Sequence, residues 1–294
     1  MRMFLLFVFL LGTAFGLPQA ADKPGPHGIE FWRSIAKDKY SVPAGESGDS
    51  LARELSKALA SPNPELRDEL AYGIYARWIG RPGTLSQQTL EALTDEWRAN
   101  LKGADSVLHR SFSALSLVFM AQRDAKAPFL GEARYHQLVS DALRYLRDEK
   151  DLRGYDAKVG WIHATAHTAD LLEALVLNSK ITKEEESSIL AGVAHRLATA
   201  PQVYSQGEQD RLAAAVNTVI RRPDFDASLF DTWLGDLQKA DTAVWAKPLT
   251  PESLAMFQNH TYMLQGLAVR LSLGDETPAV VNFKTKVLAI LKTR

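Results

Sequence analysis

The chain has 294 residues, of which 46% are hydrophobic and 23% charged, and its 34 Lys and Arg nearly balance its 35 Asp and Glu. This composition is typical of a folded protein and excludes an intrinsically disordered one. The sequence has no cysteine, which excludes disulfides, thiolate metal sites and cysteine nucleophiles, and its net charge of −1 disfavours an extended nucleic-acid interface. We therefore expect no nucleic-acid partner.

The N-terminus has the layout of a secretory signal peptide. Arg2 precedes an apolar stretch at residues 4–11, and small or turn-forming residues follow as far as Ala20. We predict that residues 1–20 are a signal peptide, that the chain is periplasmic or secreted, and that no stable membrane span remains after cleavage. Cleavage after Gly16 and cleavage near Ala20 both fit the sequence, and a retained N-terminal anchor is the alternative.

Residues 21–48 are rich in Pro and Gly, which predicts an extended lead-in with at most one short helix near residues 31–37. Helix starts are marked farther along by capping boxes or by a capping residue followed by Pro, at Asn63-Pro64, Thr182 to Glu185, Ser205 to Glu208, Thr250-Pro251 and Thr277-Pro278. Apolar residues between these signals recur with helical spacing. They predict helices near residues 49–60, 64–79, 86–102, 106–122, 132–148, 161–178, 183–199, 206–221, 227–239, 251–272 and 278–292.

No segment shows a convincing strand pattern, so we predict an all-α protein. About eleven helices joined mostly by short loops favour stacked antiparallel helical pairs, either a HEAT-like solenoid or a closed α/α toroid. Residues 49–294 are interpreted as one α-helical, repeat-like domain.

One connection is longer than the others. It runs from Glu149 to residue 160, and long loops in helical proteins more often carry function. We interpret Glu149 and Asp151 as candidate acid or base residues, and Arg153, Tyr155 and Trp161 as candidate ligand-binding residues.

Three polar side chains of the following segment share one face of a predicted helix. At about 100° per residue, His163, His167 and Asp170 fall within a narrow stripe, and the first of them lies in the first turn. Imidazoles four residues apart suit a divalent metal, with Asp170 as third ligand. A metal-free ligand pocket and a hydrogen-bonded polar seam are the alternatives, and the seam is favoured. We therefore predict no cofactor and keep a divalent metal as an alternative.

Arg110 lies in an otherwise apolar helical pattern. If it is buried it needs a carboxylate partner, for which Glu149, Asp151 and Asp170 are the candidates. In the seam interpretation, Asp170 bonds Arg110 or Arg153. We include Arg110 and Asp170 among the candidate ligand-binding residues.

The central strings resemble a family signature. The run from Glu149 to Tyr155, the run from Gly160 to Asp170 and the flanking Arg110-Ser111-Phe112-Ser113, Leu66-Arg67-Asp68 and Glu208-Gln209-Asp210-Arg211 together resemble the bacterial DUF2785 family over residues 30–290. The resemblance implies an α-helical repeat-like fold with a cluster of polar residues in its middle. It implies no reaction.

Two functions of different classes fit these features. The first is an exported binding or scaffold module that uses the central polar cluster to hold a peptide, glycan or envelope protein. The second is a cell-envelope or glycan-directed hydrolase or lyase, metal-assisted or not, with Glu149, Asp151, His163 and His167 as the catalytic candidates.

Overall fold

The structure, a computed structural model, describes residues 25–294, so the predicted signal peptide lies outside the described residues. Within them the chain forms twelve α-helices: α1 Ile29–Lys37, α2 Gly48–Leu55, α3 Tyr72–Gly80, α4 Gln87–Gly103, α5 Val107–Lys126, α6 Glu132–Asp148, α7 Ala164–Val176, α8 Lys183–Thr199, α9 Glu208–Ile220, α10 Ala227–Trp245, α11 Pro251–Leu273 and α12 Pro278–Leu291. A 3-10 segment at Ser56–Ala60 and a π-helical segment at Glu65–Ala71 lie between α2 and α3. Two strands, β1 Tyr155–Asp156 and β2 Gly160–Trp161, complete the elements.

The predicted all-α class is confirmed, and side-chain caps are present at the starts of six of the twelve α-helices. Thr182 accepts a hydrogen bond from the backbone of Glu185, whose side chain bonds back to the backbone of Thr182. The box predicted at Ser205 to Glu208 is wrong. Gly207, with φ of 98°, supplies the bend before α9, and the Glu208 carboxylate instead accepts from the Gln206 N–H.

Several predicted helices differ from the observed ones in type or extent. The helix predicted at residues 64–79 begins as the π-helical segment and becomes α-helical only at Tyr72. The helix predicted at residues 161–178 begins at Ala164, since the residues before it form a β-hairpin. The helix predicted at residues 227–239 continues to Trp245.

The helices form two layers of a stack. The odd-numbered helices from α3 to α11 pack side by side in one layer, and the even-numbered helices from α2 to α12 form the other. Helices α4, α6, α8 and α10 each pair across the layers with the helix that follows. A further extensive contact joins α8 to α11. No contact of that extent joins α1 or α2 to α11 or α12 within residues 25–294, so the stack is an open solenoid and not a closed toroid.

The odd layer packs more tightly than the even layer. Small buried residues allow this close approach, including Ala114 on α5, Ala169 on α7 and Ala213 on α9. The more closely packed layer contains α5, α7 and α9. α7, at the centre of that layer, follows directly on the β-hairpin.

One connected cluster of buried apolar side chains extends from Trp32 on α1 to Ile290 on α12. On this ground we propose that the described helices form a single domain. No helix among residues 25–294 combines the length and the apolar content required to cross a membrane.

Candidate functional site

A short β-hairpin, residues 155–161, stands at the entrance to α7. Tyr155 pairs with Trp161 and Asp156 with Gly160 in antiparallel register. The Asp156 carboxylate accepts hydrogen bonds from the backbone N–H of Lys158 at 2.8 Å and of Val159 at 3.3 Å. These bonds shape the turn, so the hairpin has a defined conformation of its own.

Arg67 fastens the hairpin to the π-helical segment. The guanidinium of this fully buried side chain donates to the carbonyl oxygens of Val159 at 2.7 Å and Trp161 at 3.3 Å. It forms an ion pair with Asp68, with 2.6 Å between Nε and Oδ1, and lies 4.5 Å from the centre of the Phe112 ring. Burial lowers the pKa of Arg67 and raises that of Asp68, and the ion pair opposes both shifts.

The sequence interpretation assigned no role to Arg67, although one signal for it was present. Arg67 occupies the same helical stripe as the apolar Leu70, Ala71 and Ile74, and all three are buried. A charged residue on an apolar face must find partners inside the fold. Its partners lie 92 and 94 residues away, so the sequence alone could not name them.

The start of α9 holds the hairpin from the other side. The side-chain oxygen of Gln206 accepts from the Tyr155 N–H at 2.6 Å. Gly154 permits this approach, because a Cβ there would lie 2.1 Å from the same oxygen and 2.4 Å from the Glu208 carboxylate. The hairpin is therefore clamped between the π-helical segment and α9.

His163 lies immediately before α7, in the left-handed conformation with φ of 48°, and not in the first helical turn as predicted. Its Nε2 is 2.9 Å from the Gln206 carbonyl oxygen, which can only accept, so Nε2 carries the proton. Its ring stacks on Trp161 with 4.4 Å between centroids. Burial lowers the pKa of His163, and the nearby Glu208 carboxylate opposes that shift.

His167 is held in one tautomer by Ser111. The Ser111 hydroxyl donates its only proton to the Ile162 carbonyl, so it must accept from Nδ1 of His167, 2.8 Å away. Nε2 is then unprotonated, and it forms no hydrogen bond with any residue in the described part of the chain. Burial lowers the pKa of His167 to about 3, assisted by the nearby His163 and Arg211. The ring is neutral at physiological pH.

These groups surround a cleft of about 400 Å³, which we call the central cleft. It is lined by Asp68, Tyr72, Phe112, Leu115, Trp161, His163, His167, Gln206 and Arg211. The lining comes from the odd layer and from the segments that enter it. Because Nδ1 of His167 is bound to Ser111, Nε2 is the ring nitrogen that a molecule in the cleft can reach.

Asp170 has a different partner from the two considered in the polar-seam prediction. It accepts from Arg211 on α9 and bonds neither Arg110 nor Arg153. That prediction was wrong because the next helix of the layer supplies a nearer guanidinium. Burial raises the pKa of Asp170, although the Arg211 charge opposes the shift.

Arg110 and Glu149 form a partly buried ion pair away from the imidazoles. The guanidinium donates to both carboxylate oxygens, at 2.7 and 3.0 Å, and the backbone N–H groups of Lys150 and Asp151 donate to one of them. Burial alone would raise the pKa of Glu149, but these hydrogen bonds outweigh it and hold the pKa below its usual value. Glu149 and Arg110 line a separate cavity of about 480 Å³.

The structure thus separates the four residues considered as catalytic. His163 and His167 line the central cleft, whereas Glu149 does not. The Asp151 carboxylate is bound by exposed Arg153, with 2.6 Å between Oδ2 and Nη2, and Arg153 also pairs with Asp156. Of the predicted ligand-binding residues, Trp161 lines the cleft and Tyr155 contacts its indole edge-on.

Within residues 25–294, no three His, Asp or Glu side chains are grouped so that they could hold a metal ion. His163, His167 and Asp170, considered above as metal ligands, do not form such a group. Asp170 is instead engaged by Arg211.

Comparison with protein families matches residues 98–269 to the family described as a protein of unknown function, DUF2785. The match begins within α4, covers α5 to α10 with the hairpin and extends through most of α11, while the segment that contains Arg67 precedes it. Comparison with curated proteins gave no match, and comparison with solved structures gave none either. Because the match extends over more than half of the chain, this protein belongs to the DUF2785 family.

Proposed function

We propose that this protein is an exported binding module that holds its ligand in the central cleft. The observation that carries the proposal is the Nε2 atom of His167, a neutral acceptor without a protein partner in the described residues, on the wall of an aromatic-lined cleft. A few polar groups that converge in an otherwise apolar concavity are typical of a ligand site. A ligand O–H or N–H group would supply the missing donor.

Acid–base hydrolysis is the less supported function. A base whose conjugate acid has a pKa of about 3 has little tendency to take a proton near neutral pH. Glu149 is bound by Arg110 and two backbone N–H groups, and Asp151 is bound by Arg153. Neither carboxylate is placed to act together with His167.

Export is the second part of the proposal and rests on the signal-like residues 1–20. Mass spectrometry of the protein recovered from a producing bacterium, with envelope, medium and cytoplasm separated, tests it. We expect the mature chain outside the cytoplasm, beginning near residue 17 or 21. An intact N-terminus confined to the cytoplasmic fraction would contradict export.

Ligand binding at the cleft is tested with a matched pair of variants. H167N keeps an amide near the Nδ1 position to bond Ser111 but removes the Nε2 acceptor, whereas H195N alters an exposed histidine on α8. We expect thermal-shift screening against oligosaccharides and short peptides to identify ligands that stabilise the wild type and H195N but not H167N. Equal stabilisation of all three proteins would place the site elsewhere.

A further inference from the structure

We propose that the ligand of the central cleft is an uncharged, hydroxyl-rich ring, the sugar unit of a neutral glycan. This assignment rests on the proposed function and adds the chemical class of the ligand. Four features support it. They are a fixed aromatic surface, the hydrogen-bonding groups that line the cleft, the balance of charges around it, and a hairpin backbone whose N–H and C=O groups are already hydrogen-bonded.

The aromatic surface is the indole of Trp161. This side chain is 42% exposed, yet one face is stacked on His163 and its ring contacts Tyr155 edge-on at 5.1 Å. The imidazole support holds the ring in place, so little side-chain freedom remains to be lost on binding. A flat, fixed aromatic face suits the C–H face of a pyranose ring.

The polar groups of the cleft suit hydroxyl groups. Nε2 of His167 can only accept a hydrogen bond, and Oδ2 of Asp68 forms none with the described residues. Arg211 donates to Asp170 and retains further N–H groups. A hydroxyl both donates and accepts, so it can bond each of the three, whereas a carboxylate or a fully ionised phosphate ester has no proton to offer His167.

The charges that line the cleft are balanced. Asp68 is paired with Arg67, and Arg211 is paired with Asp170. No lining side chain presents an uncompensated charge, and an ionic ligand would gain little to offset the loss of its hydration. A neutral ligand avoids that cost.

A peptide strand fits less well because the hairpin has little free backbone. The Tyr155 N–H is bound by Gln206, and the carbonyls of Val159 and Trp161 are bound by Arg67. The N–H groups of Ile162 and His163 donate to Gly154. Peptides that bind by strand addition need a row of unpaired backbone groups, which these bonds remove.

Isothermal titration of the mature protein with three uncharged probes tests the assignment: chitotetraose, maltotetraose and cellotetraose. We expect at least one to bind, with affinity reduced roughly tenfold in W161A and roughly fivefold in H167N. W161F should show an intermediate loss because it keeps a smaller ring. W245A, at the exposed end of α10, and H195N should bind like the wild type.

A parallel titration with uncharged tetrapeptides separates failure of the sugar assignment from failure of the proposed function. If the tetrapeptides bind in a Trp161-dependent manner and the oligosaccharides do not, the sugar assignment is overturned and the cleft function stands. If neither class binds, both are overturned. Sugar binding unchanged in W161A and H167N would also overturn the assignment. Unaltered circular dichroism of W161A, whose side chain is half-exposed, excludes misfolding as the cause.

Discussion

Arg67 is a buried cation, and its replacement should destabilise both the Asp68 carboxylate and the β-hairpin. In R67M the Asp68 carboxylate loses its ion pair, and the carbonyls of Val159 and Trp161 lose their donor. We expect the free energy of unfolding to fall by about 3 to 5 kcal/mol, as when one partner of a buried pair is removed. Urea denaturation measures this. R81M, which changes an exposed arginine, should remain within about 0.5 kcal/mol of the wild type, and equal losses would contradict the argument.

His167 should make stability depend on pH. Its pKa is about 3 in the folded protein and 6.5 in an unfolded chain. Between pH 6.5 and 3, therefore, the imidazole is protonated in the unfolded state but neutral in the folded state. The free energy of unfolding should fall by about 1.4 kcal/mol per pH unit as the pH drops from 6.5 toward 3, and the full contribution is present above 6.5.

Urea denaturation of wild type, H167N and H195N at pH 7.5 and 4.5 checks this dependence. Between these values the wild type and H195N should lose about 2 to 3 kcal/mol more than H167N. Identical losses in the three proteins would mean that His167 is protonated in the folded state at the lower pH.

At the scale of elements, the hairpin depends on the close approach of Gly154 to the start of α9. In G154A the new methyl group would overlap the Gln206 and Glu208 side chains, and the hairpin must move away. We expect faster proteolysis and faster amide exchange across residues 150–163 with unchanged helix content.

A glycine at an uncrowded helical position provides the control. In G235A the new methyl group meets no atom within 4 Å, and Ala favours a helix interior by roughly 0.5 to 1 kcal/mol. G235A should therefore be neutral or slightly stabilised, with unchanged exchange in the hairpin. Unchanged exchange in G154A as well would refute the clamp.

Helices were predictable here and the hairpin was not, for a physical reason. Caps such as Thr182 with Glu185 act within one turn, so the sequence carries the signal where the structure uses it. Strands of two residues have no periodicity to detect, and the bonds that fix these strands come from Arg67 and Gln206, far along the chain. The partner of Arg110 could be narrowed to three carboxylates, but only the fold selects Glu149.

At the scale of the whole molecule, an open solenoid should be most stable at its centre. Helices α5, α7 and α9 have packed neighbours on both sides within their layer, whereas α1 and α12 lie at the ends. Hydrogen exchange followed by mass spectrometry should show the slowest exchange in the three central helices and the fastest at the two ends. Uniform protection along the chain would instead indicate a single cooperative unit.

His163 has a strained backbone conformation beside the central cleft. With φ of 48°, its backbone adopts a shape that glycine accepts without strain and that costs a side-chain-bearing residue about 1 kcal/mol. The imidazole at this bend bonds the Gln206 carbonyl oxygen and supports the Trp161 indole, two contacts that a glycine could not make. In H163G the relief of backbone strain opposes the loss of these two contacts, so we expect ligand binding at the central cleft to weaken while the melting temperature changes little.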